Sequence, residues 1–99
     1  MKIIAIGDRA FVMALRLAGA EGFEVRSDKE FYDLLNNLIN KRKDIGLIVI
    51  PSNMASKYRK QIANLRRRLS LPVIYELPPP VGKHESIDYK SLLRDLLGI

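Results

Sequence analysis

Four short apolar runs punctuate the chain: Lys2 to Ile6, Phe23 to Val25, Ile45 to Ile50 and Val73 to Tyr75. Each is closed by Gly, Pro or charge and is too short for an ordinary helix, so each reads as a strand. The stretches between them have helix length, which makes the chain alternate strand and helix. Strands apolar at nearly every position must be buried on both faces, and that predicts a parallel sheet between two helical layers. Right-handed crossovers follow. A chain of 99 residues holds one such core. The expected fold class is therefore α/β, with a four-stranded parallel sheet and helices on both faces.

The helices differ in character. In the second, Phe31, Leu34, Leu35, Leu38 and Ile39 recur at the three-four spacing of one apolar stripe, and Ser27 with Glu30 makes a capping box at its start. In the third, Ala55, Tyr58, Ile62, Leu65 and Leu69 form a single face, with Ser52 or Asn53 available as the cap. The first, roughly Ala10 to Ala18, carries Phe11, Val12, Met13, Ala14, Leu15 and Leu17 all round its axis. Such a helix needs cover on more than one side. Either part of it, including Phe11 and Met13, is a contact surface, or neighbouring loops and the C-terminal segment close over it.

The compact part is expected to end at Leu77, giving a sheet domain over residues 1–77 and a distinct segment over 78–99. Pro78, Pro79 and Pro80 cannot donate backbone hydrogen bonds and favour an extended, stiff spacer. Asp88 then caps a short helix in which Tyr89, Leu92, Leu93, Leu96 and Leu97 fall on one stripe. A helix of about ten residues is marginal in water, so this stripe is expected to dock on its own sheet or on another protein.

Several function classes are excluded by what is missing. With no cysteine there is no disulfide scaffold, thiolate nucleophile or Cys-ligated metal. The N-terminal apolar run is too short for a signal-peptide core, and Ile45 to Pro51 is far short of a membrane span, so the chain reads as soluble and intracellular. Sites in open parallel sheets form at the carboxyl ends of strands. There the chain offers Asp8 without a second acid, which suits a helix cap better than a cation site. A response-regulator receiver would need an acidic pair after strand one, a phosphoacceptor Asp after strand three and a Lys after strand five; the chain has Asp8 alone, then Pro51 and Ser52, and no fifth strand. The six glycines are too scattered for a dinucleotide or Walker phosphate loop. His84 lies in a charged loop with no triad partners, and Ser52 has no base near it. No catalytic residue, cofactor site or metal site is nominated.

Charge is the remaining feature. Residues 41 to 68 hold nine Lys or Arg against the single acid Asp44, a local balance of +8 in a chain of +6 overall. Lys57, Lys60, Arg66, Arg67 and Arg68 lie on the polar faces of the third helix. Such a block attracts an acidic protein surface or nucleic acid. Tyr58 belongs to the apolar stripe, and no other aromatic lies between Tyr32 and Tyr75, so there is no stacking platform for bases. A solvated or protein-facing surface is the preferred reading. The alternative is a free-standing nucleic-acid or regulatory binding module using region 41–68.

Taken in order, four segments carry a family resemblance: Lys2-Ile3-Ile4-Ala5-Ile6-Gly7-Asp8, Leu15-Arg16-Leu17-Ala18-Gly19, Asp44 to Ile50, and Leu71-Pro72-Val73-Ile74-Tyr75-Glu76-Leu77-Pro78. Their order, spacing and total length resemble the F subunit of the archaeal and vacuolar-type rotary ATPases across nearly the whole chain. The chain departs from that pattern at Arg9 to Met13, where the family has a polar or acidic run, and at Pro78 to Pro80, where it commonly has one proline. The resemblance implies strand order 2-1-3-4 and a mobile C-terminal segment. It also implies a non-catalytic rotor component of the central stalk, without cofactor, that couples or regulates ATP turnover and proton or sodium transport. Implied partners are the coiled-coil D subunit of that stalk, the A and B catalytic hexamer and the membrane-proximal funnel component. The implied location is cytoplasmic and peripheral to the cell membrane, without insertion. The stripe Tyr89, Leu92, Leu93, Leu96 and Leu97 is the expected partner contact, with Phe11 and Met13 beside it.

Overall fold

A computed structural model describes residues 1–78 together with Ser91, Arg94 and Asp95. Of the helix expected from Asp88, Ser91, Arg94 and Asp95 are described and are helical; its stripe of Tyr89, Leu92, Leu93, Leu96 and Leu97, and the residues Pro79, Pro80 and His84, lie outside the described residues. The elements are β1 (Lys2–Gly7), α1 (Arg9–Leu17), β2 (Glu21–Glu24), α2 (Asp28–Lys41), β3 (Ile45–Pro51), α3 (Ser52–Ala55), a 3-10 turn (Ser56–Tyr58), α4 (Arg59–Arg68) and β4 (Val73–Leu77). The four strands form one parallel sheet in the order β2-β1-β3-β4.

The sheet buries both faces of its central strands β1 and β3, as their apolar sequences require. Ile4, Ile6, Ile48, Ile50 and Ile74 point to one face and meet Phe31, Leu35, Leu38 and Ile39 of α2 and Ile62 and Leu65 of α4. Ala5, Leu47, Val49 and Leu77 point to the other, where α1 supplies Phe11 and Leu15. The side chains at zero exposure, Phe11, Phe31, Ile4, Ile6, Leu15, Leu35 and Ile48 among them, each gain roughly 1.5–3 kcal/mol on burial.

The α1 layer sits unusually close to its strands. A Cβ on Gly7 would lie 2.7 Å from Cδ2 of Phe11, and one on Gly22 would lie 2.5 Å from Cγ1 of Val12. Small residues at these two sheet positions let the helix backbone approach. The helix then stops at Gly19, whose φ of +105° carries no Cβ penalty. Its N–H donates to the Arg16 carbonyl at 3.0 Å, and the Ala20 N–H donates to the Leu15 carbonyl at 3.0 Å. Those two bonds make a Schellman ending that turns the chain straight into β2.

Two local expectations are corrected. The second strand runs Glu21–Glu24 rather than Phe23 to Val25. It is an edge strand with no fully buried residue, so no apolar run marks it; Val25 instead donates its N–H to the Gly7 carbonyl just beyond the ladder at 2.9 Å. The third helix is not continuous and neither Ser52 nor Asn53 caps it. Pro51 stands at the cap without a side-chain bond, and Ser52 is already the first helical residue. The Ser56 hydroxyl donates back to the Asn53 carbonyl at 2.9 Å, and Tyr58 leaves helical geometry at φ −124°, ψ 34°, which together break the helix before α4. Of the two alternatives for α1, the partly exposed one holds: Phe11, Val12 and Leu15 are buried, while Met13 and Leu17 are exposed.

Candidate interaction surfaces

At the carboxyl ends of the strands the polar groups serve the backbone. Asp8 precedes α1 and its Oδ1 accepts from the Phe11 N–H at 2.9 Å, one of the helix's otherwise orphan donors. Ser27 does the same for α2, accepting from the Glu30 N–H at 3.1 Å. Among the described residues no group of three or more His, Cys, Asp or Glu side chains converges. The concavity formed by Ser27, Lys29, Glu30, Asp33, Leu34 and Asn37 runs along α2 from its N-terminal cap.

Among the described residues two apolar surfaces are exposed. On α1, Met13 and Leu17 are 50% and 86% exposed; on β4 and the turn before it, Leu71, Val73 and Tyr75 are 48%, 48% and 40% exposed. Phe11, expected beside Met13 at a partner contact, is instead at zero exposure beneath α1. The reason is helical phase: Phe11 lies four residues before Leu15 and shares its inward face, whereas Met13 lies on the opposite side. The apolar run itself does not single out Val73 and Tyr75, although the strand order implied by the resemblance puts β4 at an edge of the sheet.

The basic surface is partly engaged by its own fold. Lys57 Nζ donates to Asp28 Oδ2 at 2.7 Å, and this carboxylate raises the Lys57 pKa. Arg66 donates through Nε at 3.2 Å and Nη2 at 2.9 Å to the Ile74 carbonyl, and Nη2 reaches Glu76 at 3.3 Å. Arg67 donates to Asn64 within α4. Lys60 and Arg68 are exposed. The helix α4 contains no acid, so its outer face stays positive. Tyr58 stacks on Tyr32 and both pack, partly buried, against the core.

A separate ion cluster ties the opposite end of the sheet. Arg42 Nη2 donates to Asp44 Oδ2 at 2.7 Å, and Arg42 Nη1 donates to Glu21 Oε1 at 3.2 Å, joining the residue after α2 to the starts of β2 and β3. The hydrogen bonds that Arg42 donates to Asp44 and then to Glu21 raise its pKa, and the Arg42 guanidinium holds the Asp44 carboxyl below its ordinary value of 3.8.

Comparison with known proteins follows the whole chain. Residues 3–94 match the family described as ATP synthase (F/14-kDa) subunit. The A-type ATP synthase F subunit of Methanocaldococcus jannaschii is 34% identical over 101 residues, which cover 100% of this chain and 97% of the relative. The protein of the same name from Methanococcus aeolicus is 33% identical over 104 residues, covering 100% and 97%. That of Pyrococcus furiosus is 31% identical over 101 residues, covering 98% and 90%.

Proposed function

This chain belongs to the family described as ATP synthase (F/14-kDa) subunit, and from that premise we propose that it is a non-catalytic central-stalk component of an A-type ATP synthase. It pairs with the coiled-coil D subunit, turns with it inside the A and B hexamer, and couples or regulates ATP turnover and ion transport. The observation that carries this reading is similarity running end to end, over 100% of this chain and 97% of a relative named as the A-type ATP synthase F subunit. The strand ends add support, since Asp8, the one carboxylate following β1, caps a helix. Among the described residues no helix is long and apolar enough to cross a membrane, which suits a peripheral component.

In this reading residues 1–77 act as the rigid body and 78–99 as a hinge and contact segment. Exposed Met13 and Leu17 and the stripe Tyr89, Leu92, Leu93, Leu96 and Leu97 provide apolar contact area, and Lys60 and Arg68 face acidic partner surfaces. The funnel-shaped membrane-proximal component is a further neighbour.

The test is to mix the purified chain with the D subunit of the same organism and measure mass by light scattering on a sizing column in moderate salt, which screens non-specific attraction. A stable one-to-one complex is expected. Two separate peaks, with the D subunit independently folded, would refute the pairing and direct attention to a nucleic-acid titration of the basic region.

A further inference from the structure

Each edge of the sheet is met by an arginine from a covering helix, and the two arginines come from opposite layers. Among the described residues the edges are β2 and β4, each hydrogen-bonded to a strand on one side only. On β2, Arg16 of α1 donates from Nη2 to the Gly22 carbonyl at 3.0 Å. On β4, Arg66 of α4 donates from Nε at 3.2 Å and Nη2 at 2.9 Å to the Ile74 carbonyl, while Glu76 holds the same guanidinium at 3.3 Å. Each acceptor is the second residue of its strand. The Gly22 position is shaped for this contact, because a Cβ there would lie 2.8 Å from Arg16 Nε.

We propose that Arg16 and Arg66 hold the two sheet edges closed against strand addition by a second copy of this chain. An open strand edge presents unpaired N–H and C=O groups and is a template for pairing; charged side chains along it are one way proteins block that. A guanidinium on an edge carbonyl occupies the acceptor an incoming strand needs and sets a charge in its path.

The second copy is the expected occupant because β4 suits a twofold pairing with itself. Such an isologous contact places the same surface on both partners, and here it would cover Val73 and Tyr75, which are 48% and 40% exposed. The β2 edge is less suited, since Glu21 and Glu24 bound it and would face like charges across the twofold. Arg66 is therefore the more consequential of the two guards.

The experiment measures the mass of the full 99-residue chain by light scattering across a wide concentration series, with circular dichroism to establish folding. Wild type and Arg67→Ala, the latter removing an equal charge from the same helix, should stay at single-chain mass. Arg66→Ala should move to two-chain mass as concentration rises, Arg16→Ala less so, and the double variant furthest. Should Arg66→Ala fail to fold, Arg66→Gln, whose amide is too short to replace the guanidinium, is read in the same way. A folded variant lacking Arg66 that keeps single-chain mass throughout overturns the proposal, as does a wild type already at two-chain mass or equal association by Arg67→Ala.

Discussion

The rings of Tyr32 and Tyr58 stack with centroids 4.6 Å apart and planes 8° from parallel, while Phe31 meets Tyr58 at 6.2 Å. The stack joins α2 to the turn that breaks the third helical segment. A double-mutant cycle of Tyr32→Leu and Tyr58→Leu, followed by urea unfolding, should give a coupling of about 0.5–1.5 kcal/mol. Additive losses would mean the rings contribute only through the area they bury.

Asp8 acts on the backbone of α1 rather than on a ligand. Asp8→Ala should lower stability by about 1 kcal/mol through loss of the cap, whereas Asp8→Asn, also a good cap, should lose much less. Equal losses in both variants would point to a role for the carboxylate charge itself.

The close approach of α1 to the sheet makes Gly7 intolerant of a side chain. Its added Cβ would meet Cδ2 of Phe11 at 2.7 Å and Cγ of Pro51 at 3.2 Å, and the Phe11 ring is fully enclosed. Gly7→Ala should therefore destabilise by roughly 1–3 kcal/mol through overpacking, and Phe11→Leu in the same chain should recover part of the loss. Denaturant midpoints measure both.

The two sides of α1 should respond oppositely to truncation. Phe11→Ala is expected to cost about 3–5 kcal/mol because it empties a core site. Met13→Ser and Leu17→Ser should change stability by no more than about 0.5 kcal/mol, as exposed substitutions usually do. If the outer face of α1 touches the coiled-coil D subunit, the same two variants will weaken complex formation on the sizing column while leaving the melting temperature in place. Unchanged binding would remove α1 from the contact.

The Arg42–Asp44–Glu21 cluster predicts a pH dependence of definite sign. The folded Asp44 pKa is depressed, so its contribution is fully present above the ordinary value of 3.8 and is lost as pH falls through the lower folded value. Asp44→Asn should flatten the melting temperature over that acidic range and leave its shape at neutral pH unaltered. The cluster is solvent-facing, so the effect should be small and should shrink with added salt. At the alkaline end the raised Lys57 pKa works the other way: its stabilisation holds below the ordinary value of 10.5 and fades above it.

Much of this architecture was legible from residue order alone. The apolar runs at Ile3 to Ile6 and Ile45 to Ile50 announced strands buried on both faces, because a helix or a half-solvated strand would have needed polar residues at a fixed period. Asp8 and Ser27 announced helix starts, since capping depends on a side chain and a backbone N–H three residues apart. The resemblance carried by the segments from Lys2 to Pro78 supplied the strand order, and the sheet has that order. What tertiary structure alone decided are the relations between distant residues. Whether Phe11 or Met13 turned inward depended on how α1 was rotated over Gly7 and Gly22, which its nearly uniform apolar composition did not specify. That Tyr58 would stack on Tyr32 depended on how α2 was brought against the turn before α4. That Arg16 and Arg66 would each reach an edge carbonyl followed from how α1 and α4 were laid over the sheet, a property of the assembled fold and not of any one segment.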